Sequence, residues 1–142
     1  LDDLDVQYSS IQNAYTNYET QIAPARTFCL LSEVTELTKK GLIKGGNLGN
    51  AVIIVDKDMD GEEVKFFQEK FGIKFYQGTR GLYKSQQLRF KNEPVRHKTL
   101  DLIGDLALLG KPIKGHVTAI KSGHKGNVEF AKLLRKEFND QF

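Results

Sequence analysis

Residues 92–112, "NEPVRHKTLDLIGDLALLGKP", carry a helix together with its own start and stop signals. Asn92, Glu93 and Pro94 open it, because proline is tolerated in the first turn, where its missing N–H leaves no bond unmade. Gly110 followed by Pro112 closes it. Each helical residue advances the direction by about 100°, so a step of four moves it by only about 40°. With His97 at zero, Asp101 falls near roughly 40°, Asp105 near roughly 80° and Lys98 near roughly 100°. Leu100, Leu102, Ile103, Leu106 and Ala107 fill the arc from about 140° to about 300°. The helix is therefore amphipathic, and its titratable groups share one stripe. Gly104 flanks that stripe, costs helix stability, and would let a backbone or a ligand come close.

The stripe has two readings. One is a solvated face with a His–Asp pair one turn apart. The other is a metal site, because side chains four apart lie about 6 Å apart along the axis and can converge on one ion. Neutral imidazole and carboxylate are ordinary zinc ligands, and Asp105 would then orient a histidine by hydrogen bond. His97 and Asp101 alone are too few, since a catalytic zinc takes three protein ligands and a water. Only His116 and His124 remain in the chain, and spacing does not choose between them as ligand, general acid or base, or bystander.

Outward from this helix, the alternation of "LDVQY", 4–8, predicts a half-buried strand, and the Tyr- and Thr-rich 14–23 predicts a second. "LLSEVTELTKKG", 30–41, predicts a helix ended by Lys39, Lys40 and Gly41. "AVIIV", 51–55, reads as a buried strand. "GEEVKFFQEKFG" fits one short helix, and "KFYQGTRGLYKSQQLRF" an excursion or surface hairpin. "KGHVTAIKS" reads as a strand. Phe130, Leu133, Leu134 and Phe138 form the apolar stripe of a closing helix. The order predicts an α+β two-layer sandwich, with helices packed on one face of a sheet.

The bulk numbers agree with one soluble domain spanning 1–142. A hydrophobic share of 39% beside 27% charged residues suits a globular chain. No apolar run approaches a membrane span, and no secretory signal is seen, so a cytoplasmic protein without stable membrane insertion is expected. A net charge of +3 is mild, and the bases are scattered, which argues against nucleic acid as a partner. The lone Cys29 excludes an internal disulfide framework and a Cys-rich zinc site. The first residue is Leu1 rather than Met, so a piece of a longer protein is expected.

"IAPARTF", "GLIKGG", "VRHKTLDLIGDL" and "KSGH", in this order, resemble the second half of UDP-3-O-acyl-N-acetylglucosamine deacetylase, the LpxC family, zinc amidases of lipid A synthesis. The likeness covers nearly the whole chain except about 57–88. It implies a ribosomal S5 domain 2-like α+β sandwich. It implies a Zn2+ site whose ligands on this chain are His97 and Asp101. It makes His124, paired with Asp105, the catalytic histidine, and Thr27 the hydrogen-bond partner of the oxyanion. Lys98 and Phe28 would contact substrate. Residues 30–54 would be a βαβ insert forming an acyl-chain passage lined by Val34, Leu37, Ile43, Leu48 and Ile53, with Gly46 nearby. The same segment, read without the resemblance, is a plain core element.

The resemblance implies a mechanism as well. Zinc polarises the acetamide carbonyl and acidifies its water, a glutamate takes the proton, and protonated His124 stabilises the oxyanion and protonates the leaving amine. The family's remaining zinc histidine and its glutamate lie in an N-terminal domain outside this sequence, so this piece is expected to be inactive alone and to have that domain as its partner. The long segment at about 57–88 points to the elongated form fused to a 3-hydroxyacyl-carrier-protein dehydratase, FabZ. Cys29 replaces the family's glycine after "RTF" and reads as packing. Two other classes stay open: a non-catalytic α+β binding module, and a zinc hydrolase complete in these residues. "DKDMDGEEV" begins like a calcium loop but has Phe67 where the bidentate glutamate belongs, so it reads as a polar turn. "GLIKGGNLGN" lacks a nucleotide-loop pattern.

Overall fold

The computed structural model describes residues 9, 17–41, 49–72, 74, 80–83 and 86–139. The chain is α+β and divides into two compact units, one containing Arg26–Pro94 and the other containing Ser9–Ala25 and Val95–Phe142.

The first unit is built on a three-stranded sheet in the order β1 (Thr27–Leu30), β2 (Ala51–Val55), β3 (Gly81–Leu82). β1 and β2 are parallel, with Thr27 opposite Ala51 and Leu30 opposite Ile54. A parallel pair needs a crossover, and helix α1 (Leu31–Lys39) supplies it. The expected βαβ unit is therefore present, and its first strand begins at Thr27. β2 reads as an unbroken apolar run because it is buried on both faces: Val52, Ile53, Ile54 and Val55 are 1%, 7%, 4% and 4% exposed.

α1 begins after Leu30, whose side chain holds no acceptor. Its cap comes from elsewhere. Asp56, just past β2, accepts from the Ser32 N–H at 3.0 Å and from the Ser32 hydroxyl at 2.5 Å. Burial pushes the Asp56 carboxyl up, but the two Ser32 bonds and the charge of Lys57 outweigh it and hold the group below its ordinary value.

Within the extension at about 57–88, the short helix expected from "GEEVKFFQEKFG" forms and contributes to this core. Helix α2 (Gly61–Phe71) is capped by Asp60, which accepts from the Glu63 N–H at 2.8 Å, and ends at Gly72 in the left-handed conformation, φ +66°. Its Phe67 is fully buried in a cluster with Leu31, Val34, Ile53, Val55 and Tyr83, and Cys29, Met59 and Phe71 pack against that cluster. The surface hairpin expected over 74–90 is corrected for the described part. Gly81 and Leu82 pair antiparallel with Val55 and Ile54, and the Tyr83 N–H donates to the Ile53 carbonyl at 3.1 Å. Gln86 prolongs the edge with its side chain, accepting from the Ile53 N–H at 2.9 Å and donating to the Ala51 carbonyl at 2.8 Å. Burial of Tyr83, which the basic and aromatic interleaving had masked, draws the segment onto the sheet. In the acidic turn, Asp56 and Asp60 serve as caps and Asp58 pairs with Arg80 at 3.1 Å.

The same unit holds a buried ion pair. Glu93, fully buried, accepts at Oε1 from the Arg26 N–H and Nε, both at 2.9 Å, and at Oε2 from Arg26 Nη2 at 3.0 Å and the Arg89 N–H at 2.7 Å. Arg26 Nη2 also donates to the Gln87 carbonyl at 2.7 Å. Burial pushes the Glu93 carboxyl up, yet these bonds and the Arg26 charge outweigh it and bring it from 4.5 to about 2. A carboxyl depressed by folding stabilises the folded state above its ordinary value and ceases to do so as pH falls through the lowered one. The contribution, on the order of 3 kcal/mol at neutral pH, is therefore lost between pH 4.5 and about 2. Urea midpoints measured at pH 7 and pH 3 should differ less in Glu93→Gln than in the parent chain.

The second unit contains helices α3 (Glu93–Ala107) and α4 (His124–Asn139); the first two residues of α3 belong to the first unit. Two expected strands are corrected. Within 14–23, the described residues include a π-helical turn, Tyr18–Ile22, closed by the Ala23 N–H on the Tyr18 carbonyl at 2.8 Å. Only Ile22 of that turn is buried, so the segment has no two-sided pattern to hold it as a strand. "KGHVTAIKS", 114–122, is irregular and almost wholly exposed. Among the described residues no strand pairs with it, and alternation without a ladder partner does not make a strand. The expected strand at 4–8 lies outside the described residues. α4 forms as expected, with Asn127 and Ala131 buried, Leu134 half-buried, and Phe130, Leu133 and Phe138 exposed.

Candidate metal and catalytic site

The stripe of α3 is not a solvated face. Asp101 is buried, and His97 and Asp105 are largely covered. His97 Nδ1 stands 2.9 Å from the Ala25 carbonyl oxygen. A carbonyl can only accept, so Nδ1 carries a proton, and Nε2 is the nitrogen left to face an ion. Nε2 lies 3.4 Å from Asp101 Oδ1, one turn along the helix. The other Asp101 oxygen, Oδ2, accepts from Lys98 Nζ at 3.1 Å. An imidazole with its far nitrogen anchored, beside a carboxylate with its far oxygen anchored, is the donor chemistry a zinc ion takes, so the residues fit the group.

His124 opens α4 with its ring exposed. Its Nδ1 is 2.9 Å and 3.1 Å from the two oxygens of Asp105. Its Nε2 lies 3.8 Å from Asp101 Oδ1. The ring thus presents Nε2 toward the His97–Asp101 pair while a carboxylate holds the other nitrogen. Burial raises Asp105, but the bonds from Asn127 and His124 and the charges of His124 and Lys98 outweigh it, and the carboxyl rests below its ordinary value. An ionised carboxylate on Nδ1 fixes the orientation of the ring. Among the described residues no group of three His, Cys, Asp or Glu side chains is gathered as a metal cage requires.

The second unit therefore assembles His97, Lys98, Asp101, Asp105 and His124 from two helices. The other expected residues belong to the first unit. Thr27 is exposed at the start of β1, with half-buried Phe28 next to it. Val34 and Ile53 are core residues packed with Leu31, Phe67 and Tyr83, and Leu37 is exposed on α1. Ile43, Gly46 and Leu48 lie outside the described residues. Cys29 is half-buried against the core, and burial, with the charge of Glu33, raises its thiol, which disfavours the reactive thiolate. His116 is exposed in the irregular segment.

Sequence reasoning missed two contributors. The Ala25 carbonyl leaves no trace in side-chain spacing. Asn127 sits one turn beyond His124 and donates Nδ2 to Asp105 Oδ2 at 2.9 Å; the i, i+3 spacing was the available signal.

The profile of the family LpxC, UDP-3-O-acyl N-acetylglycosamine deacetylase, matches residues 3–72 and 76–136. A bifunctional enzyme LpxC/FabZ of Chlorobaculum tepidum is 44% identical over 136 residues, covering 94% of this chain and 29% of that protein. The bifunctional enzyme LpxC/FabZ of Bacteroides thetaiotaomicron is 39% identical, covering 92% and 28%. The UDP-3-O-acyl-N-acetylglucosamine deacetylase of Chlamydia pneumoniae is 41% identical, covering 92% and 38%. The chain thus spans well under half the length of these curated relatives. No helix among the described residues is long and apolar enough to cross a membrane. With most of its length matched by the profile, the chain belongs to the UDP-3-O-acyl N-acetylglycosamine deacetylase family.

Proposed function

We propose that this chain supplies one half of a zinc-dependent amidase, which removes the N-acetyl group of a UDP-3-O-(3-hydroxyacyl)-N-acetylglucosamine in lipid A biosynthesis. The observation that carries the reading is the arrangement of His97 Nε2 and Asp101 Oδ1 as neighbouring donors, with the Asp105-held His124 beside them. The name of the Chlamydia pneumoniae relative supplies the reaction class and the substrate.

In this reading His97 and Asp101 hold the ion, which when bound polarises the amide carbonyl and acidifies water. Lys98 neutralises part of the Asp101 charge and contacts substrate. His124, protonated and held by Asp105, stabilises negative charge on the amide oxygen and delivers a proton to the departing amine. Thr27 donates to the same oxygen, and Phe28 lies along the substrate. Leu37 lines an acyl passage, with Val34 and Ile53 as its packed wall. A third zinc ligand and the glutamate that takes the water proton come from an N-terminal domain of the parent chain, and without it this piece is inactive. The fold is of the ribosomal S5 domain 2 type, the parent is cytoplasmic, and its length beyond this region includes a 3-hydroxyacyl-carrier-protein dehydratase.

Zinc affinity by chelator competition tests this. The 142-residue chain is expected to bind in the micromolar range or weaker, and His97→Ala to abolish that binding. Nanomolar binding lost in His97→Ala would mean that a complete three-ligand site lies within these residues. Zinc-dependent acetate release should appear when the N-terminal half is restored; its absence from the restored protein would overturn the deacetylase assignment.

A further inference from the structure

Two side chains of α4 meet one carboxylate of α3. His124 Nδ1 and Asn127 Nδ2 both lie 2.9 Å from Asp105 Oδ2. His124 is exposed, so packing does little to hold its ring. Asp105 is largely covered, but a carboxylate with one partner can still rotate about its χ2 axis, which is broad and roughly two-fold. Asn127 removes that freedom. It is 5% exposed, its backbone N–H is fixed to the Gly123 carbonyl at 3.0 Å in the first turn of α4, and its amide comes from the same helix as the histidine.

We infer that Asn127 is a positioning residue: its amide clamps the Asp105 carboxylate so that Oδ2 meets His124 Nδ1 and the imidazole keeps Nε2 directed at the reacting centre. The inference rests on the deacetylase reading for what the histidine does, but the geometry of the clamp stands independently of it. The Asn127 amide meets Asp105, and it acts through that carboxylate.

The test uses the full natural chain that carries this sequence. Steady-state acetate release and side-chain 15N spectra of the histidines are compared among the parent, Asn127→Ala, Asp105→Ala and the double variant. Asn127→Ala is expected to lower kcat by about 10- to 100-fold, with KM and zinc affinity little changed, as losing a group that orients a ligand or base does. In the Asp105→Ala background the same substitution should cost nothing further, because coupled residues are non-additive. The Nδ1–H signal of His124 should be seen in the parent, protected by Asp105, and be lost to solvent exchange in Asn127→Ala. An equal loss of activity in both backgrounds, or an unchanged Nδ1–H signal, would overturn the clamp. If Asn127→Ala does not fold, Asn127→Ser, one bond shorter, goes through the same cycle. If the parent releases no acetate, the deacetylase reading fails, and the 15N arm alone decides the clamp.

Discussion

Glu93→Ala should lower the stability of this protein by about 3–5 kcal/mol, the range seen when one partner of a buried pair is removed. Glu93 is fully buried and takes four hydrogen bonds, three of them from Arg26. Removing it strips two bonds from the buried guanidinium, which keeps the one to the Gln87 carbonyl, and takes an acceptor from the backbone N–H groups of Arg26 and Arg89. Most of the cost is that uncompensated charge, more than the worth of the pair itself. The double replacement Arg26→Met with Glu93→Leu should therefore recover much of the loss. Urea unfolding of the three variants checks this. A cost below about 1 kcal/mol for Glu93→Ala would mean that water reaches the guanidinium once the carboxylate is gone.

His124→Ala is expected to reduce acetate release by about 10²–10⁴-fold in the full natural chain, the usual worth of a positioned acid–base group. That corresponds to about 2.7–5.4 kcal/mol of transition-state stabilisation. Zinc affinity should change little, because His97 and Asp101 are the proposed donors and remain in place. This separates two roles for His124. Its Nε2 is 3.8 Å from Asp101 Oδ1, near enough that a ligand role has to be tested. Zinc loss in parallel with activity would make His124 a ligand, and full activity would remove it from the chemistry.

Much of the site was legible because its residues sit at helical intervals on one element. His97, Asp101 and Asp105 are each four apart, so one helix places all three without help from the rest of the fold. The pairing of Asp105 with His124 came from the resemblance, since nineteen residues and an irregular segment separate them. What spacing could not show is which atoms are held: the Ala25 carbonyl that holds His97 Nδ1 is seventy-two residues away. The stripe was also open to reading as a wet face, because a wheel shows direction and says nothing of what α4 brings against it. In the fold, β2 and the helices were written in local pattern. The segment 114–122 misled because alternation is necessary for a half-buried strand but a partner is what makes one. The opposite error fell on 74–90, where Gly, Lys and aromatics looked like surface although Tyr83 anchors the segment in the core.

The cap of α1 has a consequence for how the first unit comes apart. A short helix nucleates poorly, and this one draws its terminal acceptor from Asp56, twenty-four residues downstream and beyond β2. Residues 31–39 thus have little reason to be helical until β2 has docked beside β1, and none to stay so after it leaves. Helix and strand should open as one cooperative segment, with the amide protons of Ser32 and of β2 exchanging at a common rate rather than the helix fraying ahead of the sheet.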